Sequence, residues 1–445
     1  MASDLLSIAT SGARAARLAL DVTAQNIANA SSQGYVRRTV RLEELSSTGG
    51  IGRIGDLSLS GVRLAGVVRN ADLFRQAEVR RTGADAARGQ AEVAGLENIQ
   101  TAVEQSNVYP SIVKFEASLQ QLASDPVDPS LRAAVIESGR TMTRTFNLAA
   151  SSLESAGSGL RFEAADGVSQ VNTLAGELAR VNLRLARASD ATSDQTALLD
   201  QRDSLLQQMS QYADVSTKFN ADHTVEVRLG GTAGPQLVAG GSAAPLTMAV
   251  AANGTISFAV GASATSLTGG SLAGKAQALV KLDLVRSQLD TIAGSVINAV
   301  NAAQASGIAL DGSAGQPLLA GTNAATMALS FEDGRKIATA PAGAGANSRD
   351  PGNLSALRNS LATANPAAAM DALIFDISGI IAGRTVTRDA LNTIADNARI
   401  ALDAQAGVNL DQEAANLIRY QQAFQASGKA MQIASNIFDT LLGLK

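Results

Sequence analysis

Small and apolar residues recur at steps of three and four along the start of the chain, at Leu5, Ala9, Gly12, Ala16, Leu20, Thr23, Ile27 and Ala30. This spacing places them on one face of a helix. The helix is predicted to end within Asn29–Tyr35, where Ser, Asn and Gly favour a turn. Val36–Leu45 and Leu57–Val68 then alternate as extended segments, with a bulge near Gly61.

The next part of the chain has a helical pattern from Asp72 to about Ser124, with a break near Asn107–Pro110. The run Asp125–Pro129 is predicted to stop the helix, because each Pro forces the residue before it out of the helical region. A long helix, or two in line, is expected from Ser130 to about Ser189. Thr196–Tyr212 is predicted to form a further helix after a turn at Asp190–Asp194.

The pattern changes from helical to extended at Asp214. Two hairpins are predicted, the second with Asn253-Gly254 in its turn, which is a strong hairpin signal. The predicted strand pairs are Val215–Phe219 with Val225–Leu229, and Pro245–Val250 with Thr255–Val260. A small β unit is therefore expected inside a helical protein.

Helix returns at Ala273–Ser306, and Gly307–Asn353 is predicted to form loops with one strand at Met327–Phe331. Two further helices are expected at Ala367–Gly379 and Thr387–Ala406. The last helix, Asp411–Leu442, carries a coiled-coil seam at Leu417, Tyr420, Phe424, Ser427, Met431, Ala434, Phe438 and Leu441. A second apolar stripe lies beside it, at Ala426, Ala430, Ile433, Ile437 and Leu444. Such a helix needs contacts on more than one side.

The predicted fold class is mainly α with a small β insert, elongated, with the N- and C-terminal helices paired in a coiled coil. We predict four units along the chain. They are an inner terminal domain (1–40 and 405–445), a helical domain (41–213 and 273–404), an outward β insert (214–272), and a Gly/Ala-rich connector (307–353).

Composition narrows the possible functions of the 445 residues. The chain has no Cys and one His, so disulfides, thiolate zinc sites and paired-imidazole metal sites are excluded. The net charge of -4 comes without clustered Lys and Arg, which argues against nucleic-acid binding. Aromatic residues make up 3% while there are 84 alanines, which favours long helices packed closely through small side chains.

The start of the chain does not have the order of a secretory signal, because Asp4, Arg14 and Arg17 interrupt the segment where an apolar core would run. No stretch approaches 18 uncharged apolar residues, so no membrane insertion is expected. We therefore expect a soluble protein, or one that leaves the cytoplasm by a route without a cleaved signal.

Four features could carry chemistry, and we expect none of them to be catalytic. Gly50–Gly55 matches a dinucleotide-binding pattern but lacks the following helix. His223 beside a turn is expected to face solvent. Asp200–Asp203 is expected to form a solvated helix face with local ion pairs, and Tyr35 with Arg37 to form a packing and ion-pair feature after the first helix. No cofactor and no metal are predicted.

Both ends of the chain resemble a known family. Two sets of segments are similar to the signature of flagellar rod, hook and hook-associated proteins. Near the start of the chain they are Ala19–Asn29 and Gly34–Arg38, and near its end they are Gly407–Leu417, Tyr420–Phe424 and Ile437–Leu442. Three internal stretches are similar to hook-associated members at the hook–filament junction, namely Asp125–Pro129, Leu198–Asp203 and Gly269–Gly274. The Gly307–Asn353 region departs from this pattern, since longer relatives carry an outer β domain there.

The resemblance implies a structural adaptor between a flexible hook and a stiff filament. Its implied partners are further copies in a ring or short tube, the hook protein, hook-associated protein 3, and a cytoplasmic export chaperone at the C-terminal helix. It implies an extracellular place in the flagellum, reached by type III export without signal cleavage. The alternatives are a rod or hook subunit or, from a different class, a cell-wall enzyme with paired carboxylates.

The predicted assembly interface lies on the two terminal helices and the turn after the first. An apolar terminal helix without neighbours cannot bury enough surface to offset its ordering entropy, so we expect these residues to contact other subunits. They are Leu5, Leu20, Asn26, Ile27, Asn29, Gly34, Tyr35, Leu417, Tyr420, Phe424, Met431, Ile437, Phe438 and Leu441.

Overall fold

The structure is a computed structural model that describes residues 2–32, 34–47, 58–188 and 192–442. Its helices are α1 (Ala2–Ala28), α2 (Leu73–Glu104), α3 (Val108–Leu122), α4 (Pro129–Leu185), α5 (Ser193–Tyr212), α6 (Gly270–Ala305), α7 (Gly352–Ala364), α8 (Pro366–Ala406) and α9 (Leu410–Leu442). Its strands are β1 (Arg38–Ser47), β2 (Ser58–Arg69), β3 (Val215–Phe219), β4 (Val225–Leu229), β5 (Gln236–Ala239), β6 (Ser242–Ala243), β7 (Leu246–Val250), β8 (Ile256–Val260), β9 (Ser263–Thr265), β10 (Gly307–Ile308), β11 (Leu319–Ala320), β12 (Ala328–Leu329) and β13 (Ala340–Pro341). The predicted class, mainly α with a small β part, is confirmed.

Helix ends follow local chemistry where the sequence predicts them. The side chain of Asp128 accepts hydrogen bonds from the amides of Ser130 and Leu131, and Pro129 occupies the first turn of α4. Asp72 caps α2 in the same way. The predicted break before α3 occurs at Asn107, whose backbone is left-handed (φ 58°).

Two predictions about the last third of the chain are wrong. The expected break between Gly379 and Thr387 does not occur, and α8 runs unbroken for 41 residues. Thr387 does not cap a new helix, because its hydroxyl donates to the Gly383 carbonyl inside α8 (3.0 Å). In addition, α7 occupies Gly352–Ala364, where we predicted no helix.

The long helix α4 is the axis around which the body is built. At 1.5 Å per residue its 57 residues span about 85 Å. Two buried apolar clusters lie along it. One joins α4 to α3, α6 and α7 and includes Phe115, Phe146 and Leu153. The other joins its C-terminal half to α5 and the β insert. The predicted long helix is thus a single element.

Small side chains let α2 and α6 approach closely, as the alanine-rich composition predicts. A Cβ built on Gly95 would lie 2.5 Å from the Cβ of Ala278, and one on Gly274 would overlap the Arg88 carbonyl. Larger residues at either position would force the two helices apart.

The β insert is held to α4 by side-chain amides that bind backbone groups in pairs. Asn182 donates to the Val225 carbonyl (2.9 Å) and accepts from its amide (3.0 Å). Asn172 pairs with Leu246 in the same way (2.9 and 2.7 Å). Both predicted hairpins are present, and β5, β6 and β9 extend them into sheets of order β3-β4-β5-β6 and β7-β8-β9.

The region 307–353 is more ordered than the loops that we predicted. It contains the short pairs β10-β13 and β11-β12, and it buries Leu318, Met327 and Ile337. Arg132 of α4, only 1% exposed, ties this segment down by donating to the carbonyls of Gly334 and Ile337, both at 2.9 Å. Long-range polar contacts of this kind hold the segment in place, whereas its sequence pattern shows no regular strand pairing.

The hairpin β1-β2 packs against α1. The pairing register shifts opposite Gly61, which confirms the predicted bulge. Gly61 has a positive φ of 96°, and a side chain there would collide with Ser11 of α1. The Gly50–Gly55 motif lies outside the described residues.

Candidate assembly interface

The terminal helices α1 and α9 form an antiparallel pair. Thr10 lies against Met431 (3.6 Å), Gly12 lies near Ser427, and Asn26 lies against Glu413 (3.1 Å). Residues early in α1 therefore meet residues late in α9. The buried side of α1 is built mainly from alanine, at Ala9, Ala13, Ala15, Ala16 and Ala19, with Val22. A seam of this composition buries little area per residue.

Several of the predicted interface residues are used inside the chain. Half-buried side chains are those of Leu20, Leu417, Tyr420 and Met431, and Ala434 of the seam is fully buried. Their spacing of three and four residues continues upstream to Glu413, which is 1% exposed. A carboxylate thus occupies a core position of the helix pair. The spacing of four residues between Glu413 and Leu417 is a signal in the sequence that could have identified Glu413 as a core residue.

Other predicted interface residues remain exposed on the helix pair. Phe438 is 52% exposed and Phe424 42%, and Leu5, Ile27 and Ile437 are exposed as well. Ile433 of the second stripe is 60% exposed. Leu441 belongs to α9, and its side chain lies outside the described part of the chain. Phe424 and Phe438 belong to the seam that meets α1 at Met431, whereas Ile433 and Ile437 lie in the second stripe.

Asn29 and Gly34 have local roles in the turn after α1. The side chain of Asn29 donates to the Gln25 carbonyl (2.9 Å), and Gly34 adopts a positive φ of 79° that favours glycine. The predicted interface therefore includes residues that shape the turn as well as residues that present apolar side chains.

A polar cluster joins α1, β1 and α9 at the base of the pair. Asn26, 1% exposed, donates to the Arg38 carbonyl (2.8 Å) and to Glu413 Oε2 (3.1 Å). It accepts from the Tyr35 hydroxyl (3.0 Å). Arg37 Nε donates to Glu413 Oε1 (2.7 Å). The prediction of a packing and ion-pair feature at Tyr35 and Arg37 is confirmed, and burial raises the pKa of the Tyr35 phenol against the opposing effect of Arg38.

A second polar cluster links this base to the body, and here the sequence-based expectation is wrong. Asp200 and Asp203 of α5 do not form a solvated face. Arg38 Nη2 lies 2.7 Å from Asp200, and Arg69 bridges both carboxylates at 2.8 Å. Arg202 pairs with Asp203 at 2.8 Å. The Arg202–Asp203 pair is the local ion pair that we expected, but Arg38 and Arg69 come from the hairpin, more than 100 residues earlier, so no local pattern could reveal this burial.

The two carboxylates of α5 respond differently to the same cluster. Burial raises the pKa of Asp200, although Arg69 and Arg38 oppose the shift. Burial acts in the same direction on Asp203, but the guanidinium groups of Arg202 and Arg69 outweigh it, so its pKa is lowered. Both groups serve to hold the hairpin on α5, since each is occupied by Arg side chains rather than open to a substrate.

The rest of the surface offers apolar side chains but no evident reactive centre. In the described part of the chain no group of three or more His, Cys, Asp or Glu side chains could hold a metal ion. His223 is exposed, as predicted, in a turn with φ 64°. On α8, Phe375 is 76% exposed, and Val386, Ile394 and Ile400 are exposed too.

One stretch within Gly352–Thr440 is long and apolar enough to cross a membrane by length and composition alone, and 22% of its most apolar window is buried. A single helix of this kind is weak evidence for a span, since core helices of soluble proteins meet the same criterion. We expected no stretch long and apolar enough for this test, so this part of the chain is more apolar than we predicted.

Family models match the chain in three colinear segments. The model "Flagella basal body rod protein" matches residues 6–35, and "Flagellar basal body rod FlgEFG protein C-terminal" matches residues 404–444. Both ends therefore have the sequence character of flagellar axial proteins. Between them, the model "Flagellar hook-associated protein FlgK helical domain" matches residues 93–319, half of the chain.

Relatives found by sequence agree with this assignment. Flagellar hook-associated protein 1 of Bacillus subtilis (strain 168) is 24% identical over 486 residues, covering 96% of this chain and 95% of that protein. The protein of the same name in Salmonella typhimurium is 30% identical over 238 residues, covering 52% of this chain and 40% of that protein. The solved flagellar hook junction protein FlgK of Burkholderia pseudomallei is 27% identical, with a TM-score of 0.46 over 54% of this chain and 46% of that one.

The chain belongs to the flagellar hook-associated protein FlgK family and is a structural component of the bacterial flagellum. The match of the helical domain favours this family over a rod or hook subunit.

Proposed function

We propose that this protein is the adaptor at the hook–filament junction and that it polymerises through α1 and α9 into a ring or short tube. The observation that carries the proposal is the exposed apolar surface of α9, a helix already paired with α1. It includes Phe424 and Phe438 of the seam and Ile433 and Ile437 of the second stripe. Large apolar side chains that lie exposed together on one helix mark a contact surface.

The geometry of such an assembly follows from where the exposed residues lie. The second stripe of α9, with Ile433 and Ile437, is distinct from the seam that meets α1, so a neighbouring copy would contact this stripe through a different surface of its own. Contacts between unlike surfaces are heterologous, and they close into rings or continue as helical tubes. The exposed apolar residues of α8, Phe375 among them, would lie against neighbouring copies in the same wall.

The proposed neighbours are the hook protein on one side and hook-associated protein 3 on the other. Before assembly, the α9 face would be covered by an export chaperone in the cytoplasm. We propose that the protein reaches its extracellular position through the flagellar type III apparatus without signal cleavage. It would act as a structural part and not as an enzyme, without membrane insertion, nucleic acid, metal or cofactor.

The first experiment compares a strain that lacks the gene with the same strain after the gene is restored. The proposal predicts that this strain makes hooks without filaments and sheds filament protein into the medium, as seen by electron microscopy and by blotting. Filaments attached normally in the deletion strain would contradict the junction role.

The second experiment places a charge on the α9 face. Phe424→Asp and Phe438→Asp should abolish filament attachment while the body folds normally, because a carboxylate cannot be buried unpaired between subunits. Phe162→Asp on α4, where the ring is 77% exposed, is the matched control and should support attachment. Normal attachment by both α9 variants would refute the proposal, and circular dichroism checks that each variant is folded.

A further inference from the structure

A cavity of about 560 Å³ lies beside the base of the terminal helix pair. Its walls come from the turn after α1, the first turns of α2, the middle of α5 and the end of α8. Arg80 of α2 and Asp203 of α5 line it, and we call it the Arg80 pocket. Exposed Arg399 and Asp403 of α8 lie at its rim with opposite charges.

Arg80 differs from the other arginines in this part of the fold. Arg37, Arg38, Arg69 and Arg202 each have a carboxylate oxygen within 2.8 Å. Arg80 is buried as deeply as Arg202, at 4% exposed, but among the described residues no carboxylate lies within ion-pair distance of it. Its hydrogen bond is a long one, from Nη2 to Thr217 Oγ1 at 3.4 Å.

The charged residues that line the pocket are two of each sign, Arg80 and Arg399 with Asp203 and Asp403, but the buried charges behind its wall do not balance. Arg38, Arg69 and Arg202 share two carboxylates, Asp200 and Asp203. Arg80 adds a fourth guanidinium, which leaves an excess of two positive charges in a buried cluster. Burial lowers the pKa of the Arg80 guanidinium, and Asp203 offsets only part of this effect. A buried cation without a counter-ion is costly, so the arrangement favours an anion.

We propose that the Arg80 pocket binds a carboxylate, with the Arg80 guanidinium as its principal partner. A guanidinium presents a planar fork of donors that matches a carboxylate in geometry. The carboxylate is supplied either by an acidic side chain of a second copy of this chain or by a small free anion. The site is distinct from the exposed α9 face and does not depend on the junction role.

The binding test uses citrate as the probe, titrated into the full chain at constant ionic strength with chloride as the balancing ion. Bound anion stabilises the native state, so the midpoint of thermal unfolding should rise by about 2 °C or more at saturation. Arg80→Gln should lose most of this rise. Arg81→Gln, the exposed neighbour on α2, is the matched control and should keep it.

A second variant guards against loss of folding in Arg80→Gln. Ala30 lines the pocket from the turn after α1, and Ala30→Trp would fill the space with Arg80 intact. This variant should show a normal midpoint without citrate and no rise with it. An equal rise in wild type, Arg80→Gln and Ala30→Trp would overturn the proposal, as would the absence of any rise together with unchanged self-association.

The source of the carboxylate is read from sedimentation velocity on the same proteins. If citrate and Arg80→Gln both weaken self-association while Arg81→Gln does not, the carboxylate comes from a second copy. If self-association is unaffected while citrate still raises the wild-type midpoint, the occupant is a small free anion. Either result supports a carboxylate site.

Discussion

The helical body and the terminal pair, α1 with α9, differ in how completely they bury large apolar side chains. In the body, α3, α4 and α6 enclose large side chains completely, and Phe115, Phe146 and Leu153 are at most 1% exposed. In the terminal pair, α1 buries mainly alanine, while α9 leaves Phe424 and Phe438 near solvent. The core of the body is therefore complete in a single chain, whereas the terminal pair keeps large apolar side chains exposed beside a seam of small ones.

The contrast extends to how each region is held together. Large apolar groups stabilise the body, at about 25 cal/mol for each Å² removed from water. The alanine seam gains much less, and the pair relies on polar contacts at its base, chiefly Glu413 with Arg37 and Asn26. Polar contacts fix an orientation more than they add stability. The terminal pair is thus oriented by polar contacts at its base, and under the proposed function neighbouring copies would stabilise it.

Matched phenylalanine truncations test the contrast most strongly. Phe146→Ala should lower the free energy of unfolding by about 3–5 kcal/mol, because it leaves a cavity in a close-packed core. Phe438→Ala in the monomer should change it by less than about 0.5 kcal/mol. Urea unfolding of both variants followed by circular dichroism gives the comparison. Losses of similar size would mean that α9 is already buried in the single chain.

The base of the terminal pair can be tested through Glu413. Glu413→Gln removes the charge that pairs with Arg37 and should cost about 2 kcal/mol. The loss should be local, so in the assembled protein amides near Asn26 and Leu417 should exchange roughly 30-fold faster while α4 is unaffected. Glu43→Gln is the matched control, because its ion pair with Arg63 is exposed and contributes little. Unchanged exchange in Glu413→Gln would show that the polar base is not what holds the pair.

The smallest expected effect concerns the two carboxylates of α5 and their opposite pKa shifts. Asp200 has a raised pKa, so on acidification the native state takes up a proton before the unfolded chain does, and stability rises as pH falls toward the ordinary value of 3.8. Asp203 has a lowered pKa, so stability is lost as pH falls below that value.

Comparing Asp200→Asn with Asp203→Asn separates the two contributions. Asp203→Asn should flatten the loss of stability below about pH 4, and Asp200→Asn should remove the gain above it. One proton limits each change in slope to about 1.4 kcal/mol per pH unit. Urea midpoints from pH 3 to pH 7 provide the measurement, and identical profiles for the two variants would contradict the assigned directions.

Local chemistry accounts for what the sequence predicted well. The start of α2 at Asp72, the break at Asn107 and the bulge at Gly61 each depend on residues within a few positions. We expected the long helix to begin at Ser130, whereas α4 begins at Pro129 with Asp128 as its cap. The continuity of α8 was missed because Gly379 and Gly383 weaken a helix without ending it.

Long-range burial accounts for what the sequence could not predict. Glu413, Asp203 and Arg132 are charged residues that the chain buries, and each has at least one partner more than 100 residues away. Hydrophobic periodicity carries no information about such pairs. The exposed residues of the predicted interface were identified correctly as apolar, but the sequence could not tell which of them α1 would cover.

Amide hydrogen exchange on the purified monomer, and again after assembly, tests the central claim most directly. The account predicts fast exchange before residue 40 and after residue 410 in the monomer, strong protection throughout the α4 core, and protection of both ends only once copies have assembled. Strong protection of both ends in the monomer would contradict it, because the terminal helices would then be complete without neighbours.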